Sequence, residues 1–563
     1  MKKSLRPISL LGLGLIVLWG ATRLSSNPAE AQFIPPAKSD VSPDVLRPRN
    51  ALPGLDGALS RYLELKRLQG ADAATDFARR RGLDVRGGAI RLVVEIRILG
   101  TGSLFVAAVA QTVTNRISSL GGRIEIRHRN LIQARVPEDA VADLARDPLV
   151  VRIRMPRKPV LQKVVSEGVA RTGADAWKDL SSYRTEPARI CILDSGFAGY
   201  SQLLGSELPS KVQTRSFRTD GDLEAGENHG TACAEIVHDM APQAELWLVN
   251  FETDVEHYEA VTWLVGQDIQ VVSYSLGWYN AGAGDGTGPI DEDVAYAAGN
   301  GVLWASSAGN GATDHWDGDF VDTDGDGLHE FAPGDEILAF KVPAFTETGA
   351  FLNWKDWGTW NGWDYSGTDQ DYDLIFWIYT GTEWKIVDFS EAEQSGGDWP
   401  TEEILGWYAE RDATWGVSIF RSRASKNVRL ELFAYNNSER IEYNVPARSL
   451  TIPADSPAAI AVGASDAIND AYHSYSAQGP TWDGRMKPDL SAPSGVSTAT
   501  YGAENFYGTS ASAPHLAGAF GLFLGGTPFS ARQIRAIIDA RAVDLGAPGR
   551  DLLFGVGRLN VRK

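Results

Sequence analysis

Between Ile190 and Asn310 the chain alternates short apolar strands with helical stretches: "ARICILDSG", "AELWLVNF", "VVSYSLG" and "GVLWASSAGN". Strands that are apolar on both faces are buried in a parallel sheet covered by helices on both sides. The alternation stops near residue 312, resumes at "PAAIAVGA" and runs to "LLFGVGRLN". A sheet begun before a break and finished after it is one α/β body carrying an insertion. The interrupting stretch, 313–449, holds 10 of the 17 tryptophans, with many Asp and Gly. Its segments "YDLIFWIYT", "TWGVSIFRS" and "VRLELFAYN" are strand-like and separated by turn signals, which predicts an all-β sandwich. Most of its tryptophans are expected to fill that core, the alternative being a sugar- or substrate-binding platform. In "NWKDWGTWNGW" four of them recur at spacing three, so some are expected at a surface.

Upstream lies a different kind of sequence. "MKKSLRPISLLGLGLIVLWGATRLSSNPAEAQ" has a basic head, an apolar run from Ile8 to Ala21 and a small-residue site at Ala29-Glu30-Ala31. It reads as a signal peptide over 1–31, the alternative being an uncleaved anchor. The expected destination is therefore secreted or periplasmic, with no membrane attachment after cleavage. Residues 32–165 follow, helix-like around Leu59 to Arg81. From 88 to 158 the order is β-α-β-β-α-β, that of a ferredoxin-like α+β unit. Residues 1–165 carry 27 Lys+Arg against 14 Asp+Glu, and the whole chain is at -19. A basic front joined to an acidic remainder suggests two bodies that attract each other. An acidic total argues against nucleic acid as a partner. Two cysteines, Cys191 and Cys233, are too few for a disulfide scaffold, although one bridge is open to an exported chain.

Three segments carry chemistry. Asp194 ends an apolar strand in "ICILDSG", His229 opens a helix in "NHGTACAEIV", and Ser510 opens another in "FYGTSASAPHLAGAF". Open α/β sheets place their sites at such strand ends and helix starts. A serine hydroxyl is a weak nucleophile until a histidine takes its proton, and a carboxylate fixes the imidazole tautomer. The oxyanion formed needs preorganised donors. Asn310 in "SSAGNG" and the Ser510 backbone N–H are the candidates.

These motifs resemble the subtilisin-like serine proteases, in which Asp, His and Ser follow in that order. The resemblance covers 166–312 and 450–563, through "DSG", "HGTA", "SYSLG", "AGN" and "GTSASAP" in sequence order. It implies a parallel-sheet catalytic domain, catalytic Asp194, His229, Ser510 and Asn310, and peptide-bond hydrolysis through an acyl-enzyme without a cofactor. It also implies substrate contacts from Ser275, Leu276 and Gly277 on one wall and Ala308 and Gly309 on the other. The small residues around Ser510 leave room for close approach, and Pro514 is expected in the first turn of its helix, where a missing N–H matters little. Three departures stand out. Glu235 replaces a small residue after the histidine and is expected on the exposed helix face, the alternative being altered packing near His229. Ala511 stands where methionine is usual. Trp278 is expected to narrow the outer subsites. Cys233, one turn after His229, resembles the thiol-bearing branch of the family, although a small buried hydrophobe is the expected reading.

The same resemblance assigns 32–165 to a propeptide that blocks the site, with self-cleavage between Arg157 and Glu167. The protein's partners would then be protein or peptide substrates and its own propeptide. In "DTDGDGLHE", Asp322, Asp324, Asp326 and Glu330 are spaced to wrap a structural calcium, although the twelfth position of an EF-hand would fall on Pro333. Two other classes remain: an esterase, disfavoured because "GTSAS" lacks the closing glycine of G-x-S-x-G, and a surface-binding protein with an inactive protease body.

Overall fold

Strand alternation leads to a seven-stranded sheet in the computed structural model, which describes residues 54–81, 83–97, 103–157, 160–161, 168–177, 187–437 and 439–562. Its order is Leu490–Ser494, Ala459–Asp466, Leu303–Ser307, Val271–Tyr274, Arg189–Asp194, Glu245–Asn250 and Gln213–Ser216. Every neighbouring pair is parallel. After Arg189–Asp194 the chain makes the edge strand Gln213–Ser216, then Glu245–Asn250 between the two, and crosses to build outward on the other side. The order therefore reverses beside Asp194, and the crevice for a ligand opens there.

Side chains of each strand alternate between two cores. Ile190 and Ile192 pack with the helices His229–Met240 and Thr509–Gly526. Cys191 and Leu193 face the other way, toward the helices Asp254–Val265 and Pro289–Gly299. Cys233 lies in the first core and Cys191 in the second, so the sheet separates the two sulfurs and both are free thiols.

The front unit has helices Gly57–Gln69 and Ala71–Arg80 ahead of the β-α-β-β-α-β run. That run forms Ala89–Ile96, Ser103–Ser119, Arg123–His128, Leu131–Pro137, Glu138–Ala145 and Val150–Arg154. Ala89–Ile96 pairs antiparallel with both Leu131–Pro137 and Val150–Arg154, and Leu131–Pro137 with Arg123–His128. This is the ferredoxin-like order. One face of its sheet covers the unit's own core. The other gives Val93 and Leu131 to the core of the helix Asp254–Val265. Ion pairs surround that contact: Arg91 reaches Glu256 at 2.7 Å and Glu252 at 3.2 Å, and Arg154 reaches Asp254 at 2.5 Å.

Residues 315–435 build two four-stranded antiparallel sheets. One holds His315–Asp319, Arg429–Tyr435, Thr346–Trp354 and Thr401–Ala409; the other holds Leu338–Val342, Ala413–Arg423, Asp371–Tyr379 and Trp384–Ser390. Between them Leu352, Trp354, Tyr372, Phe376, Trp415 and Leu430 form one core. Trp354 and Trp357 of the spaced tryptophans are buried, and Trp360 and Trp363 are half-buried. Short segment Val160–Leu161 lies antiparallel on Leu276–Gly277. Signal-like residues 1–31 and linker residues 162–167 lie outside the described residues. Among the described residues no helix is long and apolar enough to cross a membrane.

Candidate active site

Asp194 is the last residue of its strand and is fully buried. Its Oδ1 accepts the Ser195 N–H at 2.8 Å, which fixes the carboxylate plane. His229 starts its helix and is also buried. Its Nδ1 lies 2.9 Å from Asp194 Oδ2 and 3.1 Å from Oδ1. A carboxylate in that position keeps the proton on Nδ1 and turns Nε2 outward as a base. Nε2 makes no hydrogen bond to a described residue. Phe506 meets the imidazole edge-on at 5.9 Å.

Ser510 is the second residue of the helix Thr509–Gly526. Gly508, at φ +106°, supplies the turn into it, and a Cβ there would come within 3.0 Å of Asn310 Nδ2. That left-handed backbone and that close approach both require glycine. Pro514 is the sixth residue of the helix, in its second turn and not its first. An amide at that position would have bonded the Ser510 carbonyl four residues back. The sequence-based expectation is corrected here: the missing N–H orphans a buried acceptor. Two side chains replace it. Ser275 Oγ donates to Ser510 O at 2.8 Å, and Cys233 Sγ lies 3.6 Å from the same atom. Ser510 Oγ in turn donates to the Ser275 carbonyl at 3.2 Å.

Cys233 links the parts. Its sulfur, a carboxylate oxygen of Asp194 and a ring nitrogen of His229 all lie within 4.8 Å of one another. Burial, then the Asp194 charge, push the thiol well above its ordinary pKa, so it stays protonated. It is a weak donor to Ser510 O rather than a nucleophile.

Asn310 follows the strand Leu303–Ser307. Its Oδ1 accepts both Thr509 N and Thr509 Oγ1 at 2.9 Å. With the oxygen tied back, Nδ2 is the end presented beside Gly508, next to the serine. Thr509 Oγ1 also accepts the Gly309 N–H at 3.1 Å. One threonine therefore sets both the amide and the backbone leading to it.

Of the five wall residues, Leu276 and Gly277 carry the paired segment Val160–Leu161. Ser275 uses its hydroxyl and its carbonyl on Ser510. Ala308 and Gly309 are tied from behind: Thr451 N donates to Ala308 O at 3.1 Å, and Ala477 N to Gly309 O at 2.9 Å. Ile452 exchanges backbone bonds with Trp278 at 2.9 and 3.2 Å. Thr451–Ile452 thus joins the two walls. No motif marked that segment in the sequence; only its return from the insertion hinted at it.

Two departures fall elsewhere than expected. Glu235 is 3% exposed, not on an open face. It accepts Ala499 N at 2.5 Å and Thr500 N at 3.1 Å, tying the segment before the serine to the histidine helix. Burial raises its pKa against those bonds. Trp278 points into the core, stacked on Phe251 at 6.1 Å, with Nε1 donating to Tyr274 Oη at 2.7 Å. It does not narrow a subsite.

Asp322, Asp324 and Asp326 bring carboxylate oxygens within 4.8 Å of one another. Glu330 is not part of that group; it accepts from Thr323 Oγ1 at 2.5 Å and Thr323 N at 3.3 Å. Arg421 pairs with Asp322 at 2.8 Å.

A sequence profile of the Peptidase_S8 group, the subtilase family, matches residues 187–394 and 394–557. Subtilisin of Bacillus pumilus is 28% identical over 188 residues, which is 33% of this chain and 60% of that protein. Subtilisin E of Bacillus subtilis is 28% identical over 188 residues, 33% of this chain and 44% of that one. The chain thus spans about 60% or less of these relatives' length. An extracellular serine protease of Serratia marcescens is 48% identical over 59 residues, 10% of this chain and 6% of that one. Among solved structures, the CspB protease of Clostridium perfringens aligns with a TM-score of 0.47 at 14% identity, over 70% of this chain and 96% of that one. The epidermin leader peptide processing protease of Staphylococcus aureus aligns with a TM-score of 0.45 at 12% identity, over 84% of this chain and 98% of that one. With the profile covering most of the chain around the Asp194, His229 and Ser510 segments, this protein belongs to the subtilase family.

Proposed function

We propose that the protein is the precursor of an exported serine endopeptidase that cleaves peptide bonds through an acyl-enzyme at Ser510. The observation that carries this reading is the buried Asp194–His229 pair, 2.9 Å from carboxylate to Nδ1, with Nε2 left over as a base. In the attack, the Ser510 Oγ–H proton passes to His229 Nε2 as Oγ bonds the scissile carbonyl carbon. Asp194 stabilises the imidazolium without taking its proton. Charge gathers on the substrate oxygen, where Asn310 Nδ2 and the Ser510 N–H are the proposed donors. His229 then gives the proton to the leaving amine, and a water repeats the sequence to free the acid.

In this reading the front unit is an intramolecular inhibitor. The support is the pairing of Val160–Leu161 with Leu276–Gly277, which lays the protein's own chain along the substrate wall. The opposite charges of the two parts favour the docked state. The trio Asp322, Asp324 and Asp326 offers hard oxygen donors on a loop turned by Gly325 and Gly327, which suits a structural calcium sharing Asp322 with Arg421. A signal-like N-terminus and the likeness to a Serratia marcescens protein named an extracellular serine protease support export.

The test is to incubate processed protein with a fluorophosphonate probe and with casein. Labelling at Ser510 with casein cleavage is expected. Ester turnover without casein cleavage would favour an esterase, and neither activity would favour a binding protein.

A further inference from the structure

Arg157 sits three residues before Val160, on the stretch of chain that runs from the front unit into the cleft. Beside the charge of Glu95 in the front unit, two groups outside that unit hold it. Its carbonyl accepts the Asp254 N–H at 3.1 Å, at the start of the helix Asp254–Val265. Its guanidinium lies 4.0 Å from the ring centroid of Trp399, in the inserted sandwich. That distance is well inside the range of a cation–π contact.

The Trp399 ring is firmly placed. Its Nε1 donates to Asp364 Oδ1 at 2.6 Å, and Trp357 and Tyr365 pack on it at 5.4 and 5.7 Å. Trp363 and Asp364 line the same cavity as Arg157 and Trp399. Asp398, the residue before Trp399, faces another arginine, Arg152, at 3.8 Å. The ledge thus combines a fixed aromatic face with a nearby carboxylate, the chemistry that takes a cationic side chain. Burial and the neighbouring Arg154 bring the Arg157 guanidinium down to about 10, so it is still charged at neutral pH.

We propose that the Trp399 ledge is a distal substrate subsite, selecting arginine or lysine three residues before the one that pairs with Gly277. This rests on the peptidase reading and adds a substrate class to it: peptides with a basic residue at that spacing. Asp254 N would anchor the backbone of any sequence there, and Trp399 would read the side chain. Arg157 is then the precursor's own occupant of the site, vacated when the front unit leaves. The insertion becomes part of the substrate-binding surface.

The test uses the processed enzyme and two peptides with the sequence of residues 155–166, one carrying Arg157 and one with alanine in its place. The arginine peptide is expected to show kcat/KM about tenfold higher. Trp399→Leu should abolish that difference, and Trp399→Phe should keep part of it. A short peptide lacking the upstream residues should be cleaved equally by all three enzymes, which controls for folding. Equal kcat/KM for the two long peptides with the unsubstituted enzyme would overturn the subsite alone. So would a preference that survives Trp399→Leu. Failure to cleave any peptide would instead overturn the peptidase reading, and the subsite with it.

Discussion

Ser275 and Ser510 hold each other through reciprocal hydrogen bonds, Oγ to carbonyl at 2.8 Å in one direction and 3.2 Å in the other. The stronger of the two satisfies the carbonyl that Pro514 orphans. Losing a donor to a buried acceptor costs about 1–3 kcal/mol. Ser275→Ala should therefore lower the melting temperature and slow fluorophosphonate labelling of Ser510. In a Pro514→Ala background, where an amide is available again, the same substitution should cost much less. A double-mutant cycle by thermal denaturation checks this, and equal losses in both backgrounds would contradict the role given to Pro514.

Asn310 is set by Thr509 through two bonds of 2.9 Å. If its amide stabilises the oxyanion, Asn310→Ala should reduce kcat on the order of 100–1000-fold with KM nearly unchanged. Thr509→Val, which keeps the backbone bond but loses the hydroxyl, should give a smaller fall of the same kind. Steady-state kinetics on a peptide substrate separate kcat from KM. A loss confined to KM would move Asn310 from transition-state stabilisation to ground-state binding.

Glu402 in the inserted sandwich is buried, bonded by Ala392 N at 2.9 Å and Gln394 Nε2 at 3.0 Å, and burial pushes its pKa up to about 8. A folded pKa above the ordinary carboxylate value means that its contribution to stability is complete below about pH 4.3 and is lost as pH rises through about 8. Glu402→Gln cannot ionise. Its melting temperature should match the parent at about pH 4 and exceed it at about pH 9. Parallel melting curves across that range would show that the carboxyl is not held neutral.

Calcium on Asp322, Asp324 and Asp326 should raise the melting temperature, and a chelator should lower it by a few degrees. Asp324→Asn should remove the effect, while Glu330→Gln, outside the carboxylate trio, should keep it. Differential scanning calorimetry with and without chelator decides this; identical melting in both would discard the metal.

Much of this was legible in the sequence, and the exceptions share a cause. Alternating apolar strands disclosed the parallel sheet, because a strand buried on both faces leaves no polar period. Asp194, His229 and Ser510 stood out because each sits where a strand ends or a helix starts. The positions of Glu235 and Trp278 were not readable, since a helix or strand position shows its burial only once its neighbours are known. Pro514 was misplaced because it lies beyond the first turn whether the helix opens at Ser510 or, as it does, at Thr509, which Asn310 fixes from 199 residues earlier. The pairing of Val160–Leu161 with Leu276–Gly277 is a long-range match that no local pattern records.

Self-processing of the purified full-length chain tests the central claim most directly. Intact mass spectrometry should find a cut between Arg157 and Glu167 in the unsubstituted protein, and none in Ser510→Ala or Asp194→Ala. A pure Ser510→Ala protein that still cut itself there would contradict the account.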